Sequence, residues 1–277
     1  MAHIRITVLS ENTATKSRLI GEHGFALWLE VDNKNVLFDT GQQGLVITHN
    51  ASRLNVDLHN IDAVVLSHGH YDHTGGLNDI CNQTKKLVVY AHPDAFEKKY
   101  SKRSDGSVHD AGIPSTIDKP VESQVEIKLN KQSIEIYPDF YLTGSIPRAT
   151  DYENTGGAFF LDRDCKIPDL LLDDQAAFIK TPSGLVVILG CAHSGIINTL
   201  RYIRQLTDNA PIHTVIGGMH LMTANEARID KTIAELREFE IKRLYPAHCT
   251  GFEATTKLWQ SFTETCTPCS VGMVLEY

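Results

Sequence analysis

The sequence has few cysteines, no excess of positive charge and no long apolar run. Six cysteines in 277 residues are too sparse for a disulfide scaffold. Lys and Arg total 26 against 34 Asp and Glu, a net charge of −8, which argues against a general binder of nucleic acid or membrane surfaces. No stretch approaches the roughly 18 to 20 apolar residues of a membrane span. We therefore expect a soluble protein without nucleic acid or membrane as a partner.

The first ten residues are typical of a strand and contain no long apolar signal region, so we expect a cytoplasmic protein. Cys266 and Cys269 form the sequence's one CxxC pair. Because no second such pair accompanies it, a structural zinc site there is disfavoured. A redox pair and two reduced thiols in a C-terminal loop remain alternatives. The sequence does not define the oligomeric state.

Apolar runs alternate with turn clusters along the chain, which predicts a mixed α/β protein. In each half, strands come first as hairpins and helices then alternate with strands. That order indicates two similar halves whose sheets pack face to face with the helices outside. We expect a single domain over residues 1–277, with a polar surface insertion at 97–123 that is a candidate lid. The predicted strands are 3–9, 25–31, 35–39, 61–67, 86–91, 125–129, 133–137, 140–143, 176–180, 185–189, 212–216, 242–245 and 270–276, and the predicted helices are 44–54, one opening at 74–77, 195–207, 224–238 and 253–263.

The sequence SHGHYDHTGG, at residues 67–76, carries the strongest chemical signal. Imidazole nitrogen and carboxylate oxygen are ligands that suit zinc, iron and manganese. Three histidines and an aspartate follow a buried strand directly, so all four side chains lie on one tight turn. His68 and His70 can face one ion, while Asp72 and His73 face a neighbouring one. The turn therefore predicts a centre for one or two divalent ions, zinc first, with iron or manganese as alternatives.

Three further histidines end apolar strands in the second half of the chain. His193 lies in GCAHSG, His220 in GGMHL and His248 in PAHCTG. One histidine at a strand end is often a packing residue, but the ends of neighbouring strands on one sheet edge converge on one cleft. We therefore expect these side chains to approach the turn at residues 67–76.

The string LSHGHYDHTGG resembles the HxHxDH signature of the metallo-β-lactamase superfamily, and VLFDTG at residues 36–41 resembles that superfamily's motif around a supporting aspartate. The resemblance implies a four-layer αββα sandwich and a supporting role for Asp39 behind the metal ligands. It implies His248 as the late metal ligand and a catalytic role for His220 and Asp72. The superfamily's bridging aspartate is absent where this chain reads GCAH, so either His193 or His220 is expected in its place. The number of ions stays open between one and two.

Further motifs resemble one subgroup of the superfamily. EHGF, TGSIPR, DDQA, GCAHSG, GGMHL and PAHCTG are similar to enzymes of methanopterin biosynthesis that join a dihydropterin to ribofuranosylaminobenzene 5′-phosphate. The subgroup also contains members described as metal-dependent hydrolases. His23 is a candidate for the cleft mouth, with a surface turn as the alternative. Arg148 is a candidate for an anionic substrate, because a guanidinium forks onto phosphate or carboxylate, with a salt bridge to Asp151 or Glu153 as the alternative.

These observations favour a metal-dependent hydrolase that uses activated water on an ester, lactone or phosphate-type small molecule, with an anionic substrate. A pterin-related synthase that forms a C–N bond and releases a phosphate-type group is the first alternative. Redox chemistry at iron is the second, although the first motif has no glutamate and no flavin domain follows. A non-catalytic, metal-stabilised binding protein is the third.

Overall fold

The computed structural model describes residues 3–84, 86–114 and 124–277. Its strands form three sheets. The strands are β1 (Ile4–Ser10), β2 (Ala26–Val31), β3 (Lys34–Phe38), β4 (Ala63–Val65), β5 (Lys86–Ala91), β6 (Tyr100–Lys102), β7 (Val108–Asp110), β8 (Gln124–Leu129), β9 (Ile134–Tyr137), β10 (Phe140–Leu142), β11 (Phe159–Phe160), β12 (Ala177–Thr181), β13 (Gly184–Ile188), β14 (Ile212–Gly218), β15 (Arg243–Ala247) and β16 (Val274–Glu276). The helices are α1 (Gly44–Arg53), α2 (Tyr71–Thr74), α3 (Leu77–Gln83), α4 (Ile196–Leu206), α5 (Glu226–Arg237) and α6 (Phe252–Ser261).

Each of the two large sheets is part antiparallel and part parallel. The first has the order β16-β1-β2-β3-β4-β5-β8, and β3, β4, β5 and β8 run parallel. The second has the order β15-β14-β13-β12-β10-β9, and β13, β14 and β15 run parallel. The carboxyl ends of parallel neighbours lie at one edge of their sheet. The chain leaves each of these edges through the loops that carry the predicted site residues.

The two sheets are stacked, because alternate residues of their strands enter different apolar cores. Val36 and Phe38 of β3 join Ala177 and Ile179 of β12 in a core between the sheets. The intervening Leu37 packs instead with residues of α1 and α3 on the outer face. On the other side, α4, α5 and α6 pack on the outer face of the second sheet. Helix, sheet, sheet and helix thus form four layers, which confirms the predicted α/β sandwich.

Helix α4 begins directly after the loop that carries His193, and a buried carboxylate holds its first turn. Glu153 accepts hydrogen bonds from the backbone N–H groups of Ile197 and Asn198, each at 2.9 Å. Gly195, with φ of 97°, precedes the helix, and a Cβ there would stand 2.3 Å from the Glu153 carboxylate. Glycine is therefore required, since this close approach fixes where the helix starts and where the preceding loop turns.

The third sheet has the order β11-β6-β7 and includes part of the segment predicted as a surface insertion. Residues 97–114 of that segment carry β6 and β7, and β6 pairs with β11 from the later part of the chain. Residues 115–123 lie outside the described residues, and the organisation as one domain with an insertion stays a prediction. None of the described helices is long and apolar enough to cross a membrane.

Candidate metal centre

The strand ends of both large sheets bring six side chains together, which we call the histidine cluster: His68, His70, Asp72, His73, His193 and His248. The turns that present or support them include four non-glycine residues with positive φ, namely Asp39, Ala192, His220 and His248 at 58°, 53°, 45° and 49°. Such conformations are strained for most side chains and concentrate at functional sites. The local backbone is therefore set by the cluster's geometry rather than by intrinsic preference.

His68, His70 and His193 form the first half of the cluster. Their potential ligand atoms all lie within 4.8 Å of one another. All three side chains are buried, and no hydrogen-bond partner is found for any of their Nε2 atoms within the described chain. Burial lowers the pKa of His68 and of His193 well below the ordinary value and that of His70 to about 3. Three neutral imidazoles with unpartnered nitrogens directed together are a fitting set of donors for a divalent cation.

Asp72, His73 and His248 form the second half. Oδ2 of Asp72 lies 3.2 Å from Nε2 of His248 and 4.0 Å from Nε2 of His73. Burial opposes ionisation of Asp72, but His73, His23 and His248 together hold its pKa well below the usual range. Burial likewise opposes protonation of His73, but Asp39 and Asp72 raise its pKa to about 9. A cation bound here would displace that proton and take over its pairing with the carboxylates.

Hydrogen bonds at Nδ1 orient four of the five imidazoles in the cluster. His73 donates to Asp39 Oδ2 at 2.7 Å, and Asp39 also accepts from the Ser67 backbone N–H and hydroxyl, both at 2.7 Å. In the same way His68 donates to Ser67 Oγ, His193 to the Thr155 carbonyl and His248 to Asn12 Oδ1, at 2.9, 2.7 and 2.9 Å. His68, His193 and His248 therefore keep their proton on Nδ1 and present the Nε2 lone pair to the cluster, as metal-binding histidines do. His73 would do the same once a cation displaces its second proton.

A buried ion network supports the turn between His68 and His70. Lys99 is 1% exposed and donates to Asp169 at 3.0 Å and to Asp173 at 2.9 Å. Asp173 in turn accepts from the backbone N–H of Gly69 at 2.8 Å. A Cβ on Gly69 would stand 2.0 Å from the Ala95 carbonyl oxygen. Sequence reasoning linked neither Lys99 nor Asp173 to this turn, because the contact joins segments far apart in the chain.

Cys191 is a further donor in the cluster that sequence reasoning did not propose. Its Sγ atom lies 3.0 Å from Nε2 of His73, and it belongs to potential metal-binding groups with His68 and His73 and with His248 and Cys249. Cys191 stands in the GCAH loop where a bridging aspartate was expected and found missing. The thiol, rather than an imidazole, therefore lies next to the second half of the cluster, while His193 completes the first half. The sequence contained one indication of this role, because a cysteine thiolate is also a common zinc ligand.

His220 lies beside the first half of the cluster, as predicted for a residue in the cleft. Its ring centroid is 4.1 Å from that of His193, and no partner is found for its Nδ1 among the described residues. Phe159, from β11 of the third sheet, covers the same side, with ring centroids 4.8 Å from His70 and 5.3 Å from His193. The apolar ring limits access of water, and its position could not be predicted because it depends on how a two-residue strand docks.

The two predicted substrate-binding residues are placed differently. His23 is half-exposed at the edge of the cluster, with Nε2 3.3 Å from Asp72 Oδ2, and that contact raises its pKa. Arg148 donates instead to the backbone carbonyls of Leu170 and Leu171 and touches no member of the cluster within the described chain. The guanidinium of Arg148 thus holds the loop before Asp173, and its role in binding an anionic substrate stays a prediction. Its alternative, a salt bridge to Asp151 or Glu153, is not found among the described ion pairs.

Cys266 and Cys269 are both buried free thiols. Burial raises the pKa of Cys266 to about 12 and holds that of Cys269 well above its ordinary value. A high pKa leaves little thiolate for redox exchange at neutral pH. The interpretation as two reduced thiols therefore fits their environment better than that of a redox pair.

Comparisons with known proteins place this geometry in a family. The model of the metallo-beta-lactamase superfamily matches residues 19–160, which include the turn at 67–76 and the supporting Asp39. The chain belongs to this superfamily. The chain is similar to the crystal structure of Tm1679, a metal-dependent hydrolase of the beta-lactamase superfamily. The two sequences are 32% identical, and the structures superimpose with a TM-score of 0.84 over 99% of each chain.

Two curated relatives from Methanocaldococcus jannaschii extend the comparison over nearly the whole chain. One is 7,8-dihydropterin-6-methyl-4-(beta-D-ribofuranosyl)-aminobenzene-5′-phosphate synthase, 28% identical over 99% of this chain and 97% of the relative. The other, named Uncharacterized protein MJ0448, is 34% identical over 92% of this chain and 94% of the relative. The resemblance that the motifs suggested is thereby confirmed.

Proposed function

We propose that this protein is a metal-dependent enzyme whose histidine cluster holds two divalent ions. The observation that carries the proposal is the set of three buried, unpartnered Nε2 atoms of His68, His70 and His193. A buried polar atom without a partner is costly, so it calls for a ligand that completes it. Asp72, His73 and His248 would hold the second ion, with the Cys191 sulfur beside them.

The donor set favours zinc. Imidazole, carboxylate and thiol donors together suit zinc better than magnesium or calcium, which prefer oxygen ligands. Iron and manganese accept the same imidazole and carboxylate donors and are the alternatives. The Cys191 thiol supports zinc or iron over manganese, since softer metals accept sulfur more readily.

The residues around the cluster are arranged for hydrolysis of an ester, lactone or phosphate bond. A divalent ion held by these residues would lower the pKa of a coordinated water toward neutrality and stabilise negative charge on a reacting oxygen. Asp72 is held ionised and is able to orient the attacking water and accept its proton. His23 donates to the same carboxylate from the exposed side. His220, whose Nδ1 has no hydrogen-bond partner among the described residues, would give a proton to the leaving group.

A second candidate function is a pterin-related synthase that forms a C–N bond and releases a phosphate-type group. The relative with the printed name of such a synthase supports it, since that relative aligns over 99% of this chain. In that reaction an arylamine rather than water attacks the substrate. Both candidates require the histidine cluster and an anionic small-molecule substrate. They differ in the nucleophile that His220 and Asp72 would serve.

The test of the metal centre is the metal content of the protein purified without added metal or chelator, measured by plasma mass spectrometry. We expect about two equivalents in the unaltered protein and about one in Asp72→Ala and in His193→Ala, because each variant removes a donor from one half of the cluster. Absence of tightly held metal from the unaltered protein would refute the proposal. One equivalent that His193→Ala leaves unchanged would refute the assignment of the first half.

The test of the reaction compares aryl phosphate, phosphodiester, lactone and thioester probes. Hydrolysis of one of these, lost with chelator and restored with zinc, is the expected result. Formation of a C–N product from an arylamine and a dihydropterin, without hydrolysis of any probe, would favour the second candidate.

A further inference from the structure

A cleft of about 820 Å³ lies beside the histidine cluster and shares a wall with it. Thr155, which lines the cleft, accepts the hydrogen bond from His193 Nδ1. Gly156, the next lining residue, packs against His220 so closely that a Cβ there would stand 1.8 Å from the imidazole Cδ2. The volume suits a small molecule. A ligand in this cleft therefore reaches the neighbourhood of the cluster without crossing the fold.

The lining of this cleft is cationic in an acidic protein. It includes Arg228 and Lys231 from α5 and contains no aspartate or glutamate among the described residues, although the whole chain carries a net charge of −8. The first turn of α5 also borders the cleft, through Asn225 and Ala227. The backbone N–H groups of a first turn lack acceptors within the helix and carry partial positive charge, which favours an anion. In α5 the Asn225 side chain already accepts from the N–H of Arg228 at 2.9 Å, so the contribution of the turn comes from its remaining N–H groups.

Arg228 is a buried cation that makes no direct ion pair among the described residues. The residue is only 8% exposed, and the buried Glu153 carboxylate is close enough to influence its pKa but lies beyond salt-bridge distance. Its guanidinium donates to the neutral side chain of Asn154 at 2.6 Å and to the carbonyl of the same residue at 3.4 Å, and no partner is found for Nε. The oxygens of Glu153 accept from the backbone N–H groups of Ile197 and Asn198 instead, so the guanidinium stays available to an anion, and it pairs best with phosphate or carboxylate.

Lys231 adds a second cation that is able to move. Its ammonium lies 4.2 Å over the Tyr152 ring and 3.1 Å from Asp151, in a pair whose side chains are 48% and 89% exposed. Exposed pairs of this kind hold weakly. Lys231 is thus free to turn toward an anion bound against Arg228, and it stands one helical turn after Ala227 on the same face of α5.

From these contacts we propose that the cleft is a phosphate subsite that binds the phosphomonoester end of a small-molecule substrate through Arg228, Lys231 and the first turn of α5. The inference rests on the proposed function in placing the reacting end of that substrate at the histidine cluster. In this proposal Arg228, rather than Arg148, is the arginine expected to bind the anion.

The test is calorimetric titration of inorganic phosphate into the full-length protein and the matched pair Ala227→Gln and Ala227→Glu. Residue 227 is exposed on the helix surface and lines the cleft, so both variants should fold. The two side chains have nearly the same shape, but glutamate adds a negative charge to the lining and offers Lys231 a competing partner. We expect Ala227→Glu to bind phosphate at least tenfold more weakly than Ala227→Gln. Equal affinities would overturn the proposal.

A second pair isolates the guanidinium. Arg228→Gln should weaken phosphate binding at least tenfold, whereas Arg204→Gln should leave it unchanged, because Arg204 lines a smaller cleft that already contains Glu235 and Glu238. If Arg228→Gln does not fold, the pair at residue 227 decides the question alone. If phosphate binds Ala227→Gln and Ala227→Glu equally well but does not bind His68→Ala, the phosphate lies at the histidine cluster and the subsite proposal is overturned.

Two further measurements separate the ligand classes and the two proposals. Phenyl phosphate should bind at least as tightly as inorganic phosphate, and benzoate more weakly. Equal binding of benzoate would overturn the assignment to phosphate. Metal content is measured on the same samples. Phosphate binding that depends on residue 227 in a protein without metal would support the subsite and refute only the proposed metal chemistry.

Discussion

The sulfur of Cys191 lies 3.0 Å from Nε2 of His73, so a thiol stands against the second half of the histidine cluster. The two residues come from opposite halves of the sandwich, at the ends of parallel strands in different sheets. Cys191 is buried, and it is followed two residues later by His193, which belongs to the first half of the cluster. One short loop thus contributes donors to both halves, and its sulfur lies within 4.8 Å of potential ligand atoms from each of them.

We expect Cys191 to bind metal. In protein loaded with cobalt, a thiolate ligand should produce a sulfur-to-metal charge-transfer band in the near ultraviolet. The Cys191→Ser variant should lose most of this band. It should also bind one of the two metal ions more weakly than the unaltered protein, because a hydroxyl is a poorer ligand than a thiolate. The measurement is the absorption spectrum during cobalt titration.

Cys249→Ser is the matched control, since this thiol is also buried next to the cluster and approaches the Cys191 carbonyl at 3.6 Å. The band should persist in Cys249→Ser. A band that survives Cys191→Ser and disappears in Cys249→Ser would show that the wrong sulfur was assigned.

Asp39 should contribute to metal affinity without touching the ion. It fixes the ring of His73 and also accepts two hydrogen bonds from Ser67. Asp39→Asn should therefore weaken binding about 10- to 100-fold, the range typical of residues that orient a metal ligand. Competition with a chromophoric chelator measures the change.

Asp62→Asn provides the comparison for Asp39→Asn. Asp62 accepts a backbone hydrogen bond from Asn35 at 2.8 Å, far from the cluster, so this variant should bind metal normally. Similar losses in both variants would indicate a general effect on the sheet rather than a specific effect on His73.

The buried pair of Lys99 and Asp173 should make stability depend on pH. Burial raises the pKa of Asp173 to about 6, although Lys99 opposes this. The folded protein therefore binds more protons than the unfolded chain between about pH 4 and pH 6. This contribution to the free energy of unfolding is fully present below about pH 4 and is lost as the pH rises through about 6.

Urea unfolding of the unaltered protein and of Asp173→Asn checks this sign. The free energy of unfolding of the unaltered protein, relative to Asp173→Asn, should fall by on the order of 2 kcal/mol between about pH 4 and pH 7. A difference that grows with pH would mean that Lys99 dominates and that Asp173 is ionised throughout this range.

Removing the lysine charge should be more damaging than removing a surface lysine. Lys99→Met leaves Asp169 and Asp173 buried without their cation, which should cost about 3–5 kcal/mol of stability at neutral pH. Lys166→Met is the control, because Lys166 pairs with Asp164 on the surface, where the side chains are 75% and 71% exposed. Urea unfolding measures both, and equal small losses would contradict the importance of the buried pair.

Much of the fold could be predicted because its strands are marked by apolar runs and its helices by amphipathic ones. The predicted strand 86–91 coincides with β5, and the helix predicted at 195–207 is α4 (Ile196–Leu206). The last strand was predicted too long, since residues before Val274 form a turn in which Gly272 has a φ of 79°. The third sheet was missed because strands of two or three residues have no detectable period.

The strand-end histidines could be predicted for a related reason. Parallel strands of one sheet place their carboxyl ends together, so His193 and His248, which follow β13 and β15, converge at one edge. The stacking of two similar halves then brings His68, which follows β4, to the same place. Cys191, Lys99 and Asn12 could not be assigned in this way, because each contact depends on how a loop from one half docks on the other. The contacts of Arg148 with the backbone carbonyls of Leu170 and Leu171 could not be predicted either, because no sequence pattern marks them, and its role in anion binding stays a prediction.

We expect His220 to take part in the reaction without being a metal ligand. Its backbone has a φ of 45°, and its ring stacks near His193 with Nδ1 unpartnered among the described residues. A residue held in this strained position beside a metal centre suits proton transfer to a leaving group. His220→Asn should lower kcat by about 10² to 10⁴ on the probe that the enzyme hydrolyses, with metal content unchanged. Loss of one equivalent of metal in this variant would instead make His220 a ligand and require another group as the proton donor.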